Sequence, residues 1–202
     1  MASIKAAERA SLQAPLRARF LGFVVGLGAL GSCAHATHIV EIPVVAQRSS
    51  IQDALVRMNV PADWSPLVPS ESRAEFLAPD NWSRVYIRAM PADANAKRCR
   101  TLARQYASEF INAWGGPPRT RVASKTSSGD TVDFELRRVD PKPHGEVIWG
   151  RVICRDGALA IASCTVSTQR EHELKSQCSD IMNSLEVRSL PKQIAGTPGT
   201  EG

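Results

Sequence analysis

The stretch GEVIWGRVICRDGALAIASCTVST, residues 145–168, restricts the fold more than any other part of the chain. Its Asp156-Gly157 pair is a strong signal for a two-residue hairpin loop, because both positions of the favoured turn need a positive φ. Such a loop fixes the register, and with it the face on which every side chain falls. Ile148, Val152, Cys154, Leu159 and Ile161 share one face; Trp149, Ile153, Ala160, Ala162 and Cys164 share the other. Both faces are mostly apolar, so both need a covering layer. An antiparallel sheet with one side in water is thereby excluded.

The flanking sequence supplies further strands and two covers. TRVASKT and TVDFELRRV precede the hairpin, separated by Ser128-Gly129-Asp130 and by Asp140-Pro141-Lys142-Pro143, and extend it to a four-strand antiparallel meander. Between residues 93 and 114, Cys99, Leu102, Tyr106, Phe110 and Ala113 recur at helical steps, with Asp93 or Asn95 as cap and Gly115-Gly116-Pro117-Pro118 as stop. After the meander, Thr168-x-x-Glu171 has the form of a capping box and opens a helix with Leu174, Cys178, Ile181 and Leu185 on one face. Upstream, ALVRMNVPADW and SRVYIRAM alternate as two more strands, joined by a Pro-rich stretch with a short strand near AEFLA; a short helix from Ser50-x-x-Asp53 competes with the first of them. The expected fold is α+β: a mainly antiparallel sheet covered by helices on both faces.

The start of the chain reads as an export leader. Lys5, Arg9, Arg17 and Arg19 precede the apolar run FLGFVVGLGALGS, which is too short and too rich in glycine for a membrane-spanning helix. Leu30-Gly31-Ser32-Cys33 is similar to the lipobox of bacterial lipoproteins, which makes Cys33 the lipidated residue; Ala34-His35-Ala36 offers an ordinary cut after Ala36 instead. The expected organisation is a leader over 1–32, a tether or loose arm over 33–48 in which IVEIPVVAQ reads as a loose N-terminal strand or arm, one domain over 49–187 and a disordered tail over 188–202. About 170 residues then remain, or about 166 after the cut at Ala36, enough for one domain with a sizeable core. The leader holds four of the 25 basic residues and one of the 20 acidic ones, leaving 21 against 19, a net +2. With no basic cluster evident along the sequence, a nucleic-acid partner is set aside.

Either cut removes Cys33 from the free thiols and leaves Cys99, Cys154, Cys164 and Cys178. An even number in an exported chain points to two disulfides. Spacings of 55, 10 and 14 residues contain no C-x-x-C, which argues against zinc or thioredoxin-like redox chemistry. Because Cys154 and Cys164 fall on opposite hairpin faces, each helix is stapled to the sheet, as Cys99 to Cys154 with Cys164 to Cys178, or crossed.

The strand Val60-Pro61-Ala62-Asp63-Trp64, the hairpin RDGALAIASCTVS and the helix end Ile181 to Leu185, with Ser184 before the last Leu, carry a resemblance. In this order of elements the chain, from about Leu55 to Val187, resembles the PsbP-like group of small α/β proteins, and within it the exported DcrB-like lipoproteins. The resemblance implies a PsbP-like sandwich, a sheet flanked by helices, with a binding or assembly role in the envelope and no catalytic residues to carry over.

Direct searches for chemistry end the same way. His172-Glu173 begins like H-E-x-x-H, but position 176 is Ser, so the second metal ligand is missing. His35 and His38 lie in the expected tether. His144, beside Asp140 and Glu146, has no G-x-S-x-G nucleophile to serve, and Ser189-x-x-Lys192 falls in the expected tail. No catalytic residue, metal or cofactor is assigned. Of Trp64, Trp82, Trp114 and Trp149, the two that could mark a binding surface are Trp82, in the Pro-rich loop, and Trp114, beside two glycines. The functional expectation is a non-enzymatic envelope lipoprotein, facing the periplasm, that binds an envelope protein and meets the membrane only through its anchor. A soluble periplasmic inhibitor or immunity protein against a toxin or enzyme is the alternative.

Overall fold

Ten strands and two helices follow one another in the computed structural model, which describes residues 36–45, 53–67, 70, 72–92, 95–114, 120–138 and 145–190 of the chain. The hairpin forms in the register that its turn demands: β8 (Glu146–Arg155) pairs with β9 (Ala158–Ser167) so that Arg155 faces Ala158. Asp156 and Gly157 have φ of 51° and 80°. On one side β8 is followed by β7 (Thr131–Arg138) and β6 (Thr120–Ser128). On the other, β9 pairs with β5 (Arg84–Pro91), then β4 (Arg73–Leu77) and the two-residue β3 (Ser65–Pro66). The result is a seven-stranded antiparallel sheet in the order β3-β4-β5-β9-β8-β7-β6. Both hairpin strands are therefore central, which is why both of their faces are apolar.

The two faces have different covers. Helix α1 (Ala96–Ala113) packs on Val132, Phe134, Ile148, Val152, Leu159 and Ile161, and its fully buried Ala103 and Ala107 let its backbone lie close to the sheet. Helix α2 (Glu171–Asn183) joins the cluster that holds Ala160, Ala162 and Val166, placing Cys178 and Ile181 against them. It shares that cluster with a second sheet, built from β1 (Thr37–Val44), β2 (Ala54–Pro61) and β10 (Glu186–Ser189) in the order β1-β2-β10. The second sheet is the part of this cover that the expected helix-covered sheet did not include. The strand read from ALVRMNVPADW belongs to this second sheet, because it pairs with β1 and β10, and its Val56, Met58 and Val60 are buried in the core.

The domain boundaries move for the same reason. Residues 37–44, expected within a tether as a loose strand or arm, form a strand that belongs to the domain: they pair with β2 from Thr37↔Pro61 to Val44↔Ala54, and Ile42 and Val44 are only 4% exposed. At the other end Arg188 and Ser189, expected in the tail, pair with Leu55 and Ala54. The leader with Cys33, the segment holding His144, and residues 191–202 lie outside the described residues. Among those described, no helix is long and apolar enough to cross a membrane.

The cysteines pair as Cys99–Cys154 and Cys164–Cys178, with Cα separations of 5.1 and 5.7 Å. Each bond joins one helix to one strand of the hairpin; the crossed alternative is not formed. Asn95 is the N-cap of α1, its side chain accepting from the Arg98 N–H at 3.0 Å. The capping box expected at Thr168 does not form. The chain turns at residues 167–170, the Arg170 N–H bonding to the Ser167 carbonyl at 3.0 Å, and α2 begins at Glu171 with no side-chain cap. Glu171 is instead held by Arg137, whose Nη1 donates to Oε2 at 2.9 Å and whose Nη2 donates to Oε1. The hydrogen bond from Arg137, working against burial, holds the Glu171 carboxyl below its ordinary value.

Candidate functional site

Helix α1 covers β7, β8 and β9 but stops short of β5 and β4. The uncovered strip of sheet and the flank of the helix enclose a groove of about 460 Å³, a size at which small-molecule and side-chain pockets begin. Its floor is fixed by register: Tyr86 sits between Glu75 and Ser163 on one cross-strand row, and Arg84 between Leu77 and Thr165 on the next. Ser163 and Thr165 are 1% and 3% exposed, so the floor carries two hydroxyl side chains in an otherwise apolar setting. The wall is Tyr106, Phe110, Ala113 and Trp114.

That wall is positioned from below by a missing side chain. The row of Tyr86 and Ser163 continues through Gly150 to Phe134. A Cβ on Gly150 would overlap the Phe134 ring, so the glycine is what allows that ring to lie across the sheet. Phe134 meets Phe110 with ring centroids 5.4 Å apart at 45°, and Phe110 meets Trp114 at 6.0 Å and 40°. Tilted pairs of this kind contribute about 0.5–1.5 kcal/mol each beyond their buried area. Three rings thus run from the sheet to the C-cap of the helix, and they set where Trp114 stands.

The rim is charged in both senses. Arg84 Nη1 lies 3.6 Å from Glu75 Oε1, and Glu109 accepts from Gln105 Nε2 at 2.8 Å. Arg88 completes the β5 side and is exposed.

Of the two tryptophans singled out by sequence, Trp114 lines this groove and Trp82 does not. Both are half-buried. Trp82 sits in the turn before β5, where Asp80 Oδ1 accepts from the N–H groups of Trp82 and Ser83 at 2.9 and 2.7 Å and Oδ2 accepts from Ser83 Oγ at 2.6 Å. Burial pushes the Asp80 carboxyl up, but these three hydrogen bonds outweigh it and hold the carboxyl below its ordinary value. His172 is an exposed first-turn residue of α2, and His38, on β1, bonds through Nε2 to the Ala62 carbonyl at 3.0 Å and stacks on Phe76. Among the described residues no three His, Cys, Asp or Glu side chains converge as a metal site.

The groove residues that sequence reading missed are Arg84, Tyr86, Ser163 and Thr165. Alternation in SRVYIRAM already separated Arg84, Tyr86 and Arg88 from the core set, but nothing local shows that their face runs beside a helix. That depends on β5 pairing with β9, about 75 residues away in sequence.

No family model matches the chain, and no curated protein sequence matches it. Solved structures with a similar path include the Ran-binding protein Mog1p of Saccharomyces cerevisiae, at 11% identity over 75% of this chain and 96% of that one, TM-score 0.45. The cyanobacterial PsbP protein of Synechocystis is 12% identical over 80% and 98%, TM-score 0.45. LpqN of Mycobacterium tuberculosis, described as involved in cell envelope biogenesis, is 16% identical over 75% and 92%, TM-score 0.44. No functional residue is carried over from any of them.

Proposed function

We propose that this protein is a non-enzymatic module of the bacterial cell envelope that binds another protein through the groove beside α1 and is held to the membrane through a lipid on Cys33. The observation that carries the reading is the groove itself: an aromatic wall and two buried hydroxyls inside a rim of opposite charges. Protein contacts concentrate their energy in such places, where an apolar anchor is desolvated in a pocket and polar groups at the rim set orientation. A volume of about 460 Å³ takes one or two large side chains. The two disulfides support export, since such bonds persist in oxidising compartments. The anchor rests on Leu30-Gly31-Ser32-Cys33 and on the resemblance to DcrB-like lipoproteins.

The test uses Ala113→Arg, an exposed groove residue whose replacement fills the opening without entering the core. After crosslinking in the intact envelope, the wild type yields a discrete partner band that Ala113→Arg loses while its thermal midpoint stays unchanged. Identical bands from both proteins refute the groove. Labelled palmitate enters the wild type and not Cys33→Ser; no incorporation into either refutes the anchor and leaves the groove to stand on its own test.

A further inference from the structure

The opposite flank of α1 carries a different chemistry. Lys97, Arg100 and Arg104 recur at three- and four-residue steps and so line up along one side of the helix. Lys125 of β6 reaches the same side, its Nζ 3.0 Å from Ser108 Oγ, while Arg104 Nε donates to Ser127 Oγ at 3.2 Å. All four cations are exposed. Among the described residues none of them meets a carboxylate, whereas Arg84, Arg137, Arg151 and Arg155 each do. The first turn of α1 contains no acidic residue and holds Lys97 and Arg98, at the end where the helix dipole disfavours cations. Helix α2 has Glu171 and Glu173 in the equivalent place. The placement on α1 costs the fold stability and leaves positive charge unanswered.

Beside this flank runs a free sheet edge. β6 ends the seven-stranded sheet, and among the described residues no strand pairs with its outer side. Its ladder to β7 is irregular between Val122 and Ser124 and regular from Ser124 to Ser128, with Lys125 inside the regular part. A free edge presents backbone donors and acceptors that another extended chain can complete.

We propose that this edge receives an extended acidic segment of a partner protein, which adds to β6 as an outer strand and sets its carboxylates against Lys125, Arg104 and Arg100. A polypeptide satisfies the backbone groups of the edge, which lipid headgroups do not. The strand also offers a membrane little to insert, since Val122, 45% exposed, is the one exposed large apolar side chain on it. A second copy is disfavoured, because pairing β6 with itself brings two basic flanks together. The proposal goes beyond the groove reading and lies on the other side of the helix from it, so either can fail alone.

The experiment titrates the isotope-labelled mature protein with a short peptide of alternating Glu and Val, its Gln-Val counterpart, and phosphatidylglycerol vesicles. The expected result is that the Glu-Val peptide binds, shifts the amide signals of Ser124 to Ser128, and weakens on the order of tenfold in high salt and in the double variant Arg104→Gln, Lys125→Gln. Ala113→Arg leaves this binding unchanged. Equal binding of the Gln-Val peptide, shifts confined to Tyr86 and Trp114, loss of binding in Ala113→Arg, binding to vesicles without binding to the peptide, or no binding at all overturns the proposal.

Discussion

The two faces of the seven-stranded sheet are built from similar parts and finished differently. Each carries one amphipathic helix tied by one disulfide to one strand of the β8–β9 hairpin. On the α2 face a second sheet and a set of directed polar bonds add to the cover and leave a polar cleft of about 750 Å³ between β7, β8 and β10: Arg137 holds Glu171 at the start of the helix, and Arg151 donates to the Met182 carbonyl at 2.8 Å and to Asn183 Oδ1 at 3.1 Å at its end. On the α1 face the helix stands alone. It is held by small buried residues, one disulfide, a line of three rings and two exposed bonds to β6, Arg104 to Ser127 and Lys125 to Ser108, and it leaves sheet uncovered beside β5. The more closed α2 face leaves a cleft lined by charged side chains, whereas the open α1 face leaves a groove with an aromatic wall.

Removing the disulfides breaks the symmetric part of this comparison and has the largest effect. Cys99–Cys154 closes a separation of 55 residues and Cys164–Cys178 one of 14. On chain entropy alone, the paired Ala variants lose about 4 and about 3 kcal/mol respectively in urea unfolding. Equal or reversed losses would mean that local packing, and not loop length, sets their contributions.

Gly150→Ala acts on the open face only. The added methyl displaces the Phe134 ring, costs about 1–3 kcal/mol and moves the rings that place Trp114, so its fluorescence shifts with the stability. An unchanged spectrum would uncouple the wall of the groove from the sheet.

Glu171→Gln acts on the closed face and is smaller, below about 1 kcal/mol at neutral pH, because Arg137 and Glu171 are partly in solvent. The sign follows from a carboxyl whose folded value is depressed: its contribution is present above the ordinary carboxylate range and is lost as pH falls through the folded value. Urea midpoints of wild type and variant therefore converge in acid and separate toward neutrality. Ala113→Arg is smallest of all, within about 0.5 kcal/mol, since the residue is exposed.

The hairpin was fully legible because one turn dipeptide sets the register of all its residues; the ten side chains assigned to two faces fall in the two clusters as expected. Helix α1 was legible for the same kind of reason, a long run with one period. Three features were less so. β1 was legible only as a loose strand or arm and β10 not at all, because both are edge strands whose partner is β2, and their short or Pro-interrupted alternation carries little signal without that partner. Thr168 and Glu171 have the spacing of a capping box, but Arg137, from a strand 34 residues earlier, takes Glu171 and the helix starts two residues later. The groove was half legible: Trp114 was singled out, while Tyr86 and Ser163 meet only through strand pairing that no local pattern encodes.

A photo-crosslinking residue placed at Ala113 on the α1 face and, separately, at the exposed Ser179 on α2, in the protein expressed in its native host, decides whether the open face is the one that binds. If it is, position 113 yields a discrete partner adduct and position 179 yields none. An adduct from position 179 with none from position 113 would contradict binding through the open face.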